Sequence, residues 1–294
     1  MKNRTIVLIC LLVIGGSCQL HQRAESESEV TPAISPYQPV NSSPEPKVVD
    51  TAKFISVEIK RTDRNEGSSL DISVEYPQLS KPYTAGERAF NQFVKKHVDD
   101  QLKDFRKFLI NRERDGKQKG DGMREFEINL DYTVDYYSER LTSVVMNWNG
   151  YTGGLNYDYF PSTITYDLQQ GHAIELKDLF DPGAKYLDNL SKLSIGRLQR
   201  TCLSCGCDGV NPGEPLPEGK INAIGQGGPF DLAESASAKE ENFDGWSITP
   251  EGLKITFDEY QVGPGCIGII HIVLPYSELK PDLRDDLVLA APTR

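Results

Sequence analysis

The sequence predicts an α+β fold in which two principal helices pack on antiparallel sheets. Three observations lead there: period-two apolar patterns recur along most of the chain, two stretches have helical periodicity, and strands follow strands more often than they alternate with helices. Ile55, Val57 and Ile59 alternate with polar residues, a Gly-containing turn falls within 62–69, and Leu70, Ile72, Val74 and Tyr76 alternate again, which predicts a hairpin. Thr84 and Glu87 stand at the spacing of a capping box, in which hydroxyl and carboxylate satisfy the orphan amides of a helix start. The helix they open is expected to run to about Arg114, with Phe90, Phe93, Val94, Val98, Phe105, Phe108 and Leu109 on its buried stripe.

After a polar loop at 115–122, Phe126, Ile128, Leu130, Tyr132, Val134 and Tyr136 alternate with polar positions that include Glu125, Glu127, Asp131 and Asp135. That is the pattern of a half-buried antiparallel strand, and the carboxylate row reads as its solvated face. Leu141 to Trp148 supplies the partner strand, and 164–168 and 173–176 flank a Gly171 turn as another hairpin. Asp181-Pro182 has the form of an N-cap followed by a first-turn proline, opening a second helix with Leu187, Leu190, Ile195 and Leu198 on its buried side. An irregular Gly/Pro/Cys-rich segment at 201–228 and a short helix near 231–241 follow. The closing strands are expected through Leu253, Ile255 and Phe257, then Ile267, Ile269, His271 and Val273, around the Gly263-Pro264-Gly265 turn.

The N-terminus sets the compartment. Lys2 and Arg4 precede an apolar run from Ile6 to Ile14, and Gly15-Gly16-Ser17 leads to Cys18, so 1–17 reads as an export signal. Its apolar core falls short of the ~20 residues of a spanning helix. Cys18 after small residues resembles a bacterial lipobox, with Gly15 where that motif usually has Leu, Val or Ile. Lipidation of Cys18 is the leading expectation, because two acyl chains anchor stably where one does not; ordinary secretion or a periplasmic location is the alternative. Residues 18–50, with Glu25, Glu27 and Glu29 followed by five prolines, form a tether of roughly 30 Å or more. The expected organisation is therefore signal 1–17, tether 18–50, and a folded part divided into 51–150 and 151–294.

The chain carries 32 Lys and Arg against 43 Asp and Glu, a net charge of −11 over 294 residues. Such a surface repels phosphate backbones, so no nucleic-acid partner is expected, and membrane contact is expected through the lipid only. Loss of Lys2 and Arg4 with the signal leaves −13, which suits a basic partner.

Four cysteines lie in the folded part: Cys202, Cys205, Cys207 and Cys266. Their spacing could hold zinc, but in an exported chain paired thiols oxidise, and two disulfides are the expectation. All three pairings stay open, and a bridge reaching Cys266 would pin the irregular segment to the final hairpin. His21, His97, His172 and His271 stand apart, and no hydrolase, zinc-protease, P-loop or dinucleotide motif occurs, so neither catalytic residues nor a metal or cofactor is expected. The local anomaly is 147–159, where aromatic and amide residues interleave with glycines. Such a loop suits recognition of carbohydrate or protein, or else covers a sheet edge. Tyr151, Gly153, Gly154, Asn156, Tyr157 and Tyr159, with Pro264 in the later turn, are the candidate contact residues.

Several segments together carry a family resemblance: Tyr76-Pro77-Gln78-Leu79, Tyr151-Thr152-Gly153-Gly154, Tyr166-Asp167-Leu168 to Gly171, Leu176-Lys177-Asp178-Leu179-Phe180, Asn242-Phe243, 253–260 and Leu274-Pro275-Tyr276-Ser277-Glu278-Leu279. In this order they resemble the RsiV-like extracytoplasmic domain, otherwise a domain of unknown function, over about 54–279. The resemblance implies an α+β fold with N-terminal and C-terminal portions. Its best understood member is a membrane-anchored anti-sigma factor whose outer domain binds lysozyme, and another carries a related segment beside a peptidoglycan deacetylase domain. This chain departs from the pattern at Leu155-Asn156, where Ala-His is usual, and at Gly265-Cys266, where an aromatic often follows the proline. The resemblance implies a non-enzymatic envelope lipoprotein that binds a protein or glycan outside the membrane, with lysozyme the leading candidate. The rivals are a peptidoglycan-binding accessory module and a cell-wall enzyme whose site is assembled across the sheet.

Overall fold

The computed structural model describes residues 51–65, 67–114, 124–154, 157–205, 207, 209–222 and 230–285, all within the unit Pro46–Arg294. The export signal, Cys18, the tether and the 115–122 loop lie outside the described residues. Among the described residues, no helix is long and apolar enough to cross a membrane.

The expected hairpin forms: β1 (Phe54–Asn65) and β2 (Ser68–Leu79) pair antiparallel along their whole length. The capping box also forms, with the Glu87 amide donating to Thr84 Oγ1 at 3.0 Å and the Thr84 amide to Glu87 Oε2 at 2.8 Å. These amide bonds to the charged form hold the Glu87 carboxyl below its ordinary range. Helix α1 (Ala85–Arg114) then carries the chain back across the sheet, so that β3 (Arg124–Tyr137) joins β2 in parallel, Ser68↔Arg124 to Val74↔Leu130. This parallel pair departs from the expected antiparallel arrangement. Period-two alternation fixes the faces of a strand but not the direction of its neighbour, and a crossover helix is what a parallel neighbour needs.

Antiparallel pairing resumes with β4 (Leu141–Tyr151), β5 (Asp158–Tyr159), β6 (Ser162–Asp167) and β7 (His172–Ala173), giving the order β1-β2-β3-β4-β6-β7 with β5 also on β4. Helix α2 (Tyr186–Leu198) and the short α3 (Leu232–Ser235) precede a second, antiparallel sheet of β8 (Gly245–Ile248), β9 (Gly252–Phe257) and β10 (Ile270–Pro275), closed by α4 (Tyr276–Leu279). Two hydrophobic clusters result. In one, Phe90, Val94, Val98, Phe105 and Leu109 of α1 cover Ile72, Val74, Ile128, Met146 and Trp148. In the other, Leu190 and Leu198 of α2 pack with Trp246, Ile255, Phe257, Ile272 and Leu274.

Three local expectations are corrected. Asp181-Pro182 does not open α2: the Ala184 amide bonds the Asp181 carbonyl at 3.0 Å and the Asp181 amide bonds the Asp282 carbonyl at 2.8 Å, so a turn tied to the C-terminal segment delays the helix to Tyr186. The alternation in the last strand has the opposite phase. Ile270, Ile272 and Leu274 are buried while His271 and Val273 face out, because Ile267 belongs to a 3-10 turn that shifts the register before the strand begins. Leu176 likewise lies in a 3-10 turn beyond the two-residue β7.

Asp135 is the fourth correction. A bulge between Val134 and Tyr136 aims its carboxylate at the second sheet, where it accepts from Ser247 Oγ at 2.5 Å and pairs with Lys254. It is a joint between sheets rather than part of a solvated row. Beside it, the amides of Trp246 and Ile248 on edge strand β8 donate to Thr163 Oγ1 and Ser143 Oγ, both at 3.3 Å. Side-chain hydroxyls of the large sheet thus cover the open edge of the small one.

Candidate functional site

The anomalous loop begins where β4 runs out at Tyr151. Arg112, near the end of α1, donates to Thr152 Oγ1 at 2.9 Å, and that hydroxyl donates to Asp158 Oδ2 at 3.2 Å. Gly153 adopts φ +81, the left-handed region that favours glycine, and the chain returns to β4 through Gly150↔Asp158 and Asn149↔Tyr159. Phe160 anchors the return by stacking on Trp148, with ring centroids 6.4 Å apart and planes 7° off parallel. The loop is therefore held at both ends while its aromatic side chains stay outside. The Tyr151 and Tyr157 rings meet at 5.5 Å, and Tyr157 and Tyr159 are 38% and 53% exposed. The Tyr157 hydroxyl donates to Glu127 Oε2 at 2.5 Å, and this bond pushes the phenol's pKa up.

The second candidate element is the turn bearing Pro264, which follows β9. Before it stands Glu259, whose carboxyl is pushed up first by partial burial and then by the negative charge of Asp158. Gln261 pins the segment by donating to the Ser235 and Asn242 carbonyls at 3.2 and 3.1 Å. Tyr260, in the left-handed region at φ +66 and 61% exposed, lies directly over Gly265. A Cβ at 265 would stand 2.3 Å from the Tyr260 ring, so glycine there lets the ring settle. The cysteines pair as Cys202–Cys207 and Cys205–Cys266, with Cα separations of 5.9 and 5.5 Å. The second bridge ties the 3-10 turn Gly265–Ile267, preceded by Pro264, to the irregular segment.

Tyr151, Gly153, Gly154, Tyr157 and Tyr159 thus share one loop and Pro264 stands in a separate turn before Gly265–Ile267, while Asn156 lies outside the described residues. Sequence reasoning missed Arg112, Glu127, Asp158, Glu259 and Tyr260. Glu127 belonged to the carboxylate row and Tyr260 stood three residues before the Gly263 turn, so both were visible without a reason to join them. The histidines are apart: His97 is half-buried against Ser162 Oγ at 2.9 Å, with burial holding its pKa down, while His172 opens β7 and His271 meets Thr256 Oγ1 at 3.0 Å. Among the described residues, no three His, Cys, Asp or Glu side chains converge as a metal site. The arrangement offers phenol rings and carboxylates for recognition.

Two family models match this chain. Residues 177–277 match the family described as Protein of unknown function (DUF3298), and residues 64–155 match the one described as Deacetylase PdaC. The tyrosine loop lies at the end of the second match, and the Pro264 turn lies inside the first. A curated relative, the peptidoglycan-N-acetylmuramic acid deacetylase PdaC of Bacillus subtilis (strain 168), is 24% identical over 242 residues. That alignment takes in 82% of this chain and 45% of the relative, so the chain spans less than half of that protein's length. A solved DUF3298 family member from Bacteroides fragilis NCTC 9343 aligns with TM-score 0.50 at 17% identity, over 80% of this chain and 95% of that one. A DUF3298 family protein from Pseudomonas aeruginosa PAO1 aligns with TM-score 0.49 at 12% identity, over 82% and 97%. The Bacteroides likeness is one of fold, and it agrees with the α+β reading. Residues 177–277 are thus similar to a domain of unknown function, as expected.

Proposed function

We propose that this chain is a non-enzymatic, RsiV-like binding module on the cell-wall side of a bacterial membrane, anchored by lipidated Cys18, which docks a basic protein, with lysozyme the leading candidate. The observation that carries this reading is the tyrosine loop itself, held at both ends by Arg112 and Phe160 while Tyr157 and Tyr159 stand exposed on either side of Asp158, whose negative charge reaches Glu259. Tyrosines supply large contact area at low entropic cost. The Glu259 carboxylate, partly buried beside a like charge, gains most from an incoming ammonium or guanidinium group. The likeness to a peptidoglycan deacetylase supports the cell-wall setting. It also favours a second reading, a peptidoglycan-binding accessory module.

Titration calorimetry of the mature chain against hen lysozyme is expected to give 1:1 binding that persists at high salt, where exposed charge attraction is screened. Tyr159→Ala and Glu259→Gln are each expected to weaken it about tenfold, equivalent to about 1.4 kcal/mol. Absence of binding, with retention on purified cell wall, would replace this reading by the second one. Mass spectrometry of the mature protein is expected to find diacylglyceryl-Cys18 at its N-terminus; an unmodified terminus elsewhere refutes the anchor.

A further inference from the structure

Strands β2 and β3 part company half-way along. Their parallel ladder runs from Ser68↔Arg124 to Val74↔Leu130, yet β2 continues to Leu79 and β3 to Tyr137. Where they separate, the sheet opens into a cleft of about 610 Å³ lined by Thr51, Phe54, Ser56, Glu75 and the 131–134 segment of β3. That volume is in the range of small-molecule sites, about 300–1,000 Å³. The split is spanned rather than collapsed: the Phe54 ring meets Tyr137 edge-on at 5.4 Å, and the Ser56 and Tyr132 hydroxyls bond at 2.9 Å.

The lining narrows the ligand. Four hydroxyls (Thr51, Ser56, Tyr132 and Thr133) and two carboxylates (Glu75 and Asp131) share the walls with aromatic Phe54, which suits a polyhydroxylated ring better than an apolar molecule. Among the described residues no Lys or Arg lines the cleft, so an acidic sugar or a phosphate finds no counter-charge in this lining. Glu75 also stands directly opposite Glu58 across the β1–β2 ladder, a like-charge pair that costs stability. Lys60, at 3.2 Å, serves Glu58. A peptide added as an extra strand fits poorly. Pro77 has no amide to offer on β2, and the Leu79 amide and carbonyl are both held by the Asn91 side chain, at 2.8 and 3.0 Å. The cleft also continues into a polar row on the same sheet: Asn147 donates to Asp131 at 2.7 Å and Asn129 to Asn149 at 3.1 Å.

We infer that the cleft between β2 and β3 binds a saccharide bearing free amino groups, as in a glycan that has lost N-acetyl groups. Sugar hydroxyls exchange hydrogen bonds with Ser56, Tyr132 and Thr133, and an ammonium group sits between Glu75 and Asp131. The inference rests on the cell-wall setting proposed above only for where such a glycan would be met, and the residues lining the cleft are not those of the tyrosine loop.

The test compares a β-1,4-linked glucosamine tetramer with its N-acetylated counterpart by titration against the full chain. The glucosamine tetramer is expected to bind about tenfold more tightly, near 1.4 kcal/mol. Glu75→Gln and Asp131→Asn should each remove most of that preference. Both replace a carboxylate by an amide of the same shape, and the first also relieves the repulsion from Glu58. Tyr159→Ala should leave saccharide binding unchanged, and Glu75→Gln should leave lysozyme binding unchanged, so the two readings fail separately. Failure of the glucosamine tetramer to bind, equal affinity for both tetramers, or unaltered binding by Glu75→Gln with Asp131→Asn would each overturn the proposal.

Discussion

Replacing Asp135 by alanine is expected to cost about 3–5 kcal/mol, because it strands a buried cation. The Asp135 and Lys254 side chains are only 10% and 17% exposed, and the same carboxylate accepts from Ser247. Removing it leaves the largely buried Lys254 ammonium and the Ser247 hydroxyl without this partner between two sheets. At about 2–4 °C per kcal/mol for a folded unit of this size, the fall in Tm is roughly 6–20 °C. A double variant, Asp135→Asn with Lys254→Met, removes both charges and is expected to regain much of the loss, because a buried pair costs less to delete than to break. Calorimetric melting of Asp135→Asn, Lys254→Met and their combination completes the cycle. A single-variant loss below 1 kcal/mol would show that the joint is hydrated and contributes little.

What the residues disclosed in advance follows from the range over which each force acts. Local signals read correctly: the Thr84–Glu87 capping box closes within four residues, and the α1 stripe from Phe90 to Leu109 is buried where its spacing put it. Pairings between distant elements did not read. The alternation of Phe126, Ile128 and Leu130 gives β3 one buried face whether β2 lies parallel or antiparallel beside it, and only the path of α1 decides. Asp135 shared the polar phase of Glu127 and Asp131, so nothing local marked it. The sheet that covers it is built by residues more than a hundred positions away. The candidate surface follows the same rule. Tyr151, Tyr157 and Tyr159 were conspicuous as a run, but nothing local linked Asp158 to Glu259, whose carboxyl feels its charge from a distant part of the chain.

The Pro264 turn is held by a covalent tie whose loss is the second large effect expected. Cys205 and Cys266 are 61 residues apart in sequence, and closing a loop of that length in the unfolded chain is worth roughly 4 kcal/mol in the chain-entropy account. The Cys202–Cys207 bridge closes only a five-residue separation and is worth roughly 2 kcal/mol on the same basis. Both Cys205 and Cys266 lie at the surface. Cys205→Ser with Cys266→Ser therefore opens little cavity, and the stability change reads the chain constraint rather than lost packing. Urea unfolding is expected to show a midpoint lowered by the equivalent of roughly 4 kcal/mol and a larger m-value, since an untethered unfolded chain exposes more surface. The same variant frees the Gly265 turn on which Tyr260 rests, so lysozyme binding should weaken even at temperatures where the fold persists. An unchanged midpoint would mean that the unfolded chain already keeps the two segments close. An unchanged affinity alongside a lowered midpoint would separate the bridge's role in stability from the surface it supports, and would take the Pro264 turn out of the contact region.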